Sequence, residues 1–209
     1  FNFNLSAKNN KITRAAAEIN AAEVYSDFFN IEQSKMKLRL NEDRIFVDQA
    51  NFILTDQSQL NLKGSYNLKE ENYLLSAEAD NFRLSETLIS AVDKLDLAAV
   101  NEYSSYLEEI KNDRLNFIID AAGIYGQNNA LSAAGDIDLD FDLADRDNNF
   151  QLESSFWYYQ DNLKLSSFKL NSDFGRLDLM GEADLGEQSL KIRYAAKNID
   201  LGILNRVYG

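Results

Sequence analysis

Four aspartates alternate along one short stretch: Asp136, Asp138, Asp140 and Asp142, interleaved with Ile137, Leu139 and Phe141. On an extended backbone successive side chains point to opposite faces, so this spacing gathers four carboxylates on one side of a strand. A hard cation such as Ca²⁺ takes oxygen ligands of that kind. A solvated sheet face has the same pattern and is the plainer reading. Asp145-X-Asp147-X-Asn149 begins like a Ca²⁺ loop, but Phe150 stands where the loop glycine belongs and Phe156 where the bidentate Glu belongs, so the match fails. The chain has no His and no Cys, which removes the commonest general base, the thiol nucleophile and the usual transition-metal ligands. No G-x-S-x-G, Walker loop or dinucleotide fingerprint occurs. Acids are plentiful, yet no pair is singled out for glycosidase-type catalysis. The expectation is a protein that is not an enzyme and uses no metal and no cofactor.

The charge balance narrows the partners. With 21 Lys and Arg against 34 Asp and Glu, the net charge is −13. Nucleic-acid binding and docking onto an anionic membrane both call for clustered cations, and no dense basic cluster is present. The 209 residues are 45% hydrophobic and 26% charged, a composition that folds. No run of about 18 apolar residues occurs, so no transmembrane helix is expected within the chain. Proline is absent, against about ten expected by ordinary usage. That suits long central strands, where proline would delete ladder hydrogen bonds. The chain opens on Phe1 without a basic leader, and is expected to be a piece of a longer protein whose anchor lies elsewhere.

The elements that carry the side chains repeat. Leu60 to Leu88 and Leu177 to Asn205 align without a gap, matching Leu60, Leu62, Gly64, Leu68, Glu70, Ala79, Asn81 and Leu84 with Leu177, Leu179, Gly181, Leu185, Glu187, Ala196, Asn198 and Leu201. Each copy reads as two alternating runs joined by about four polar residues, the signature of a β-hairpin. Gly64 and Gly181 fall mid-strand, where glycine marks a bulge, a bend or a close backbone approach. Gly135 can be placed on the same position in a weaker third copy.

In chain order, Phe1, Phe3 and Leu5 look like the end of an incoming strand. Ile12 to Phe29 reads as the last strand of a preceding repeat followed by a short turn of helix. Met36 to Leu40, Ile45 to Leu54, Leu115 to Ile119, Leu131 to Phe141, Phe150 to Phe156 and Leu163 to Leu170 are further strands of a meander. Between them, Leu88, Val92, Leu95, Ala99, Tyr103, Tyr106 and Ile110 follow helical spacing. A helical insert is therefore predicted around residues 85–111, with Ser85 as N-cap. The expected organisation is a β-meander over 1–84, the insert over 85–112 and a second β-meander over 113–209. Periodicity alone leaves the apolar face either as the core of a closed sandwich or as the lining of an open groove.

The units L-x-L-x-G-x-x-x-L, polar turn, alternating strand and N-[FI]-x-L resemble the repeats of the AsmA-like superfamily. The resemblance covers about a third of the chain well, over Leu60 to Leu88 and Leu177 to Leu204. It implies a mainly β fold, a long curved antiparallel sheet forming a taco-like β-groove. It also implies a periplasmic location in a Gram-negative bacterium, anchored to the inner membrane by a segment outside this chain. The implied role is non-enzymatic transport of phospholipid between the inner and outer membranes and outer-membrane biogenesis. The implied partners are phospholipid acyl chains and a protein of either membrane, with no nucleic acid. On that resemblance, the expected lipid-lining residues are Leu60, Leu62, Tyr66, Leu68, Tyr73 and Leu75, with Leu177, Leu179, Leu185, Leu190 and Ile192. The alternatives are a closed β-domain acting as scaffold or partner-binding module, and an outer-membrane barrel, which the helical insert disfavours.

Overall fold

The structure is a computed structural model, and it describes residues 2–8, 11–25, 30–54, 57–83, 110–143 and 149–199. These residues form β1 (Asn2–Lys8), β2 (Lys11–Tyr25), β3 (Asn30–Asn41), β4 (Arg44–Leu54), β5 (Gln59–Asn67), β6 (Asn72–Phe82), β7 (Ile110–Ile124), β8 (Gln127–Leu143), β9 (Asn149–Tyr159), β10 (Asn162–Ser172), β11 (Gly175–Asp184) and β12 (Ser189–Lys197). All twelve lie in one sheet in sequence order, β1 to β12. Every pairing is antiparallel. Among the described residues β1 and β12 do not pair, so the sheet is open.

The sequence pattern explains this meander. Alternation fixes register, because a slip of one residue would carry every apolar side chain to the opposite face. Short polar turns then return the chain beside itself. The Asn67 carboxamide oxygen accepts hydrogen bonds from the Lys69 and Glu70 backbone N–H groups at 3.0 and 3.2 Å. At the equivalent position the Asp184 carboxylate accepts from the Glu187 N–H at 2.8 Å. Side-chain oxygens that bond the backbone two or three residues on close such turns.

The repeat is visible in the backbone. Leu60 pairs with Ala79 and Gly64 with Leu75; Leu177 pairs with Ala196 and Gly181 with Ile192. Glu71 and Gln188 share a left-handed φ, at 54° and 53°, and so do Asn81 and Asn198, at 56° and 54°. A Cβ on Gly64 would lie 2.6 Å from the Leu74 carbonyl oxygen, and one on Gly181 2.8 Å from that of Lys191. Both contacts come from the following strand, at equivalent residues. Each glycine also faces a bulge in the preceding strand, between Val47 and Ala50 and between Leu165 and Phe168. Gly135 differs. Its close neighbour is the Ile118 carbonyl, on the preceding strand, so the third copy does not share the hairpin geometry.

One expectation needs correction. Among the described residues there is no helix, and Ile110 and Lys111, assigned above to the end of the insert, begin β7. Paired in register with Leu143 and Asp142, they extend the sheet rather than a helix. The rest of the insert, residues 85–109, lies outside the described residues, as do residues 26–29; the turn of helix expected after Phe29 is not found, since Asn30 begins β3. Ile12 to Tyr25 itself is strand, despite its alanines, because it pairs along its length with β1 and β3. Pairing on both sides outweighs the modest helix preference of alanine.

Candidate functional site

Register divides the sheet into two chemically distinct faces. Cross-strand partners share a face, so side chains can be followed from strand to strand. One row runs Ile19, Met36, Ala50, Leu62, Ala77, Ile119, Gly135, Phe156, Leu165, Gly181 and Ile192, through β2 to β12. The next row runs Phe3, Ala17, Leu38, Val47, Gly64, Leu75, Ala121, Ala133, Tyr158, Leu163, Ala183 and Leu190, through all twelve strands. Neither row contains a charged residue. At one end of the same face Phe141 stacks on Phe150 at 5.1 Å, and Phe150 lies 6.4 Å from Phe174.

The apolar face is only partly covered. Ile31, Ala50, Leu54, Ala79 and Leu115 are buried and form the core among the described residues, on β3, β4, β6 and β7. Elsewhere large apolar groups reach solvent: Leu75 is 44% exposed, Ile192 49%, Leu190 66% and Tyr194 75%. Along the edge of that core, Ser58 Oγ donates to the Asn81 carbonyl at 2.9 Å, and the Asn81 N–H donates to Asn116 Oδ1 at 2.8 Å. This network holds β6 in its left-handed kink, so that Phe82 rejoins the ladder opposite Leu115.

The opposite face is polar. Asp136, Asp138, Asp140 and Asp142 all lie on it, with Asn116, Arg114 and Lys111 as their partners on β7 or Ser155 and Glu153 on β9. Ser155 Oγ donates to Asp136 Oδ1 at 2.6 Å. Burial, and the nearby charges of Asp140 and Glu153, raise the Asp138 carboxyl above its ordinary range. Ion pairs recur on this face. Arg39 reaches both oxygens of Asp48, at 2.8 and 3.1 Å, and Lys169 meets Glu153 at 2.9 Å. Hydrogen bonds from these cations hold the Asp48 and Glu153 carboxyls below their ordinary range. The described hollows also lie on this side. One of about 550 Å³ spans β5 to β9 and is lined by Asn61, Glu78, Asn116, Asp136, Asp138 and Glu153. Among the described residues no group of three or more His, Cys, Asp or Glu could hold a metal ion. The Asp145-X-Asp147 segment lies outside the described residues.

Nine of the expected lining residues fall on the apolar face: Leu60, Leu62, Tyr66, Tyr73, Leu75, Leu177, Leu179, Leu190 and Ile192. Leu68 and Leu185 do not join the rows. The side-chain turns at Asn67 and Asp184 end each strand one residue earlier, leaving both leucines in the turn, 48% and 56% exposed. Their N–H groups donate to the carbonyls of Asp43 and Asp161, both at 2.7 Å. The strands outside the two clear repeats contribute equally to the face, through Ile19, Met36, Ala50, Ile119, Phe156 and Leu165. Their alternation is present in the sequence, but the residues on β4 and β10 change parity at the bulges.

No protein-family model, no curated protein and no solved structure matches this chain.

Proposed function

We propose that the apolar face binds acyl chains, and that the chain is a non-enzymatic segment of a periplasmic β-groove contributing to phospholipid transport between inner and outer membranes. The observation that carries this reading is the pair of unbroken apolar rows crossing the open sheet while remaining partly exposed. Contiguous exposed apolar surface on a protein usually marks a binding site. Strands lie about 4.8 Å apart, so twelve strands give a row about 50 Å long. One leaflet of a bilayer's hydrocarbon core is about 15 Å thick, half of about 30 Å. The rows are thus longer than a single acyl chain. Each buried CH₂ contributes about 0.8 kcal/mol. A row of even apolarity keeps that gain nearly constant from strand to strand, so sliding along it meets only small barriers.

Curvature into a groove is part of this proposal. Its support is the close backbone approach at Gly64 and Gly181, each beside a bulge, since bulges bend a strand and increase local twist. The hollow that spans β5 to β9 on the opposite face carries acids and amides, which suit water rather than hydrocarbon. The inner-membrane anchor, the membrane-protein partner and the role in outer-membrane biogenesis follow from the resemblance of the repeats to the AsmA-like superfamily.

A second reading has its own observation. The buried cluster of Ile31, Ala50, Leu54, Ala79 and Leu115 favours a covered core on part of this face, as in a scaffold or partner-binding module. The double variant Leu62→Asp/Leu179→Asp separates the two. Both residues sit on the apolar face, while their neighbours Lys63 and Met180 point to the polar side. Binding of a fluorescent fatty acid should be lost in the Leu62→Asp/Leu179→Asp variant and retained in Lys63→Asp/Met180→Asp, with both folded by circular dichroism. Equal binding by the two variants would count against the acyl-binding face.

A further inference from the structure

We infer that a trough on the polar face, between β6 and β9, binds a β-1,4-linked glycan whose sugar rings stack on Trp157 and Tyr159. The inference is independent of the acyl-binding reading, which concerns the opposite face.

Two neighbouring cross-strand rows build the trough. One runs Ser65, Leu74, Ala122, Ser132, Tyr159 and Asn162, and the other Lys63, Ser76, Asp120, Ala134, Trp157 and Lys164, both from β5 to β10. On β7 and β8 the floor is Ala122, Ser132 and Ala134, with Asp120 the one larger side chain. Leu74, 60% exposed, stands on one side of it, and Trp157 and Tyr159, 42% and 41% exposed, on the other. Hollows of about 510 and 430 Å³ meet here, and Leu74 and Ala122 line both. From β6 to β9 the trough is about 14 Å across, three strand spacings of about 4.8 Å. Every strand from β5 to β9 is paired on both sides, so the site is made by side chains and not by a strand edge. The turns at this end of the sheet, 41–44, 67–72, 124–127 and 159–162, are all described. The undescribed connections 55–56, 84–109 and 144–148 join these strands at the opposite end.

The chemistry of the trough selects a sugar. Trp157 is the only tryptophan of the chain. Buried rings of this kind serve a core, whereas Trp157 and Tyr159 lie side by side on the polar face, with ring centroids 5.8 Å apart and 33° between their planes. The electron-rich face of such a ring attracts the C–H bonds of a pyranose face, which the sugar oxygens polarise. A β-1,4-linked chain is a flat ribbon, so successive rings can lie on the two aromatics and on the low floor beside them. The rim is polar. Arg44, Lys63 and Asp120 border the hollows and have no ion pair among the described residues. Elsewhere on this face charges pair across strands, Arg39 with Asp48, Lys164 with Glu182 and Lys169 with Glu153. Uncommitted donors and an acceptor match sugar hydroxyls, which both accept and donate. An apolar lining with a few placed polar groups is the usual make-up of a small-ligand site. Nucleic-acid bases also stack on aromatic rings, but a net charge of −13 opposes their phosphates.

Trp157 is its own reporter. Cellotetraose titrated into the full chain should change the tryptophan emission saturably. Maltotetraose, the same glucose units α-linked in a coil, should bind about tenfold more weakly. By isothermal titration calorimetry, Trp157→Ala and Tyr159→Ala should each weaken cellotetraose about tenfold, while Trp157→Tyr stays within about threefold. Met180→Ala removes an exposed side chain elsewhere on this face and should change nothing. The unaltered chain and Trp157→Tyr decide the matter even where an alanine variant fails to fold. Neither emission change nor heat with cellotetraose, equal affinity for maltotetraose, or an equal loss in Met180→Ala would each overturn the proposal. A trough that takes a proline-rich peptide and not cellotetraose would overturn it as well, and would belong to a protein partner.

Discussion

Replacing Gly64 by Ala tests the close packing of the hairpin that defines the repeat. A Cβ there would lie 2.6 Å from the Leu74 carbonyl oxygen and 3.4 Å from the Leu75 Cα. Ordinary contact begins near 3.4 Å, so strand β6 must retreat by about 0.8 Å from a backbone atom that no rotamer change can move. Overpacking of this kind costs about 1–3 kcal/mol. Against it stands a gain of about 0.4–1 kcal/mol from the reduced entropy of the unfolded chain. The net expectation is a loss of about 1–2 kcal/mol, or about 2–8 °C in Tm for a chain of this size. Gly181→Ala should cost less, because its contact with the Lys191 carbonyl is 2.8 Å and β12, which among the described residues pairs on one side only, can shift. Gly186 provides the control, since a Cβ there meets only the Asp184 carboxylate at 3.4 Å. Thermal denaturation followed by circular dichroism should rank Gly64→Ala below Gly181→Ala, and both below Gly186→Ala. A Gly64→Ala protein as stable as Gly186→Ala would refute the close approach of β5 and β6.

Other substitutions probe separate features. Asn81 holds a φ of 56°, so Asn81→Val should lower stability by about 1–3 kcal/mol while Asn81→Gly stays within a few tenths, as measured by urea titration. Asp138 has a raised carboxyl pKa, so its folded form keeps a proton to higher pH than the unfolded chain; it weakens the fold above that pKa and is relieved as pH falls through it. Asp138→Asn should therefore raise Tm by about 1–2 °C at neutral pH, with the gain fading in acid and in high salt. Asp48 has the opposite sign. Its pKa is lowered, so its contribution is present above the unfolded value and lost as pH falls through the folded one. Asp48→Asn should lower Tm at neutral pH, and the difference from the unaltered protein should vanish in acid.

Much of the sheet is legible in the sequence because alternation determines both strand and face. The turn at Glu42–Asp43, the hairpins of both repeats and the run from Leu131 to Phe141 follow directly from it. Gly64 and Gly181 stand out as interruptions in an otherwise apolar row, and each is a site of close backbone approach. Parity counting fails where geometry changes locally. Ile45 and Val47 share a face with Ala50 and Phe52 because Asp48 and Gln49 form the extra residues of a bulge. The same slip occurs between Leu165 and Phe168. Leu68 and Leu185 keep the strand's parity, but a side-chain turn one residue earlier takes them out of the ladder. Alanine-rich β2 carries helical propensity that its two neighbours override. Apolar alternation also cannot reveal how a sheet covers its face. That depends on which strands find second-layer neighbours, a long-range property with no local signal.

Native mass spectrometry of the full chain, purified in mild conditions and paired with lipid extraction, tests the acyl-binding face most directly. An exposed apolar row binding acyl chains predicts co-purified phospholipid in defined stoichiometry, displaced by the Leu62→Asp/Leu179→Asp substitution. A lipid-free protein that also takes up none from added vesicles would contradict it, leaving the apolar rows as the inner face of a scaffold.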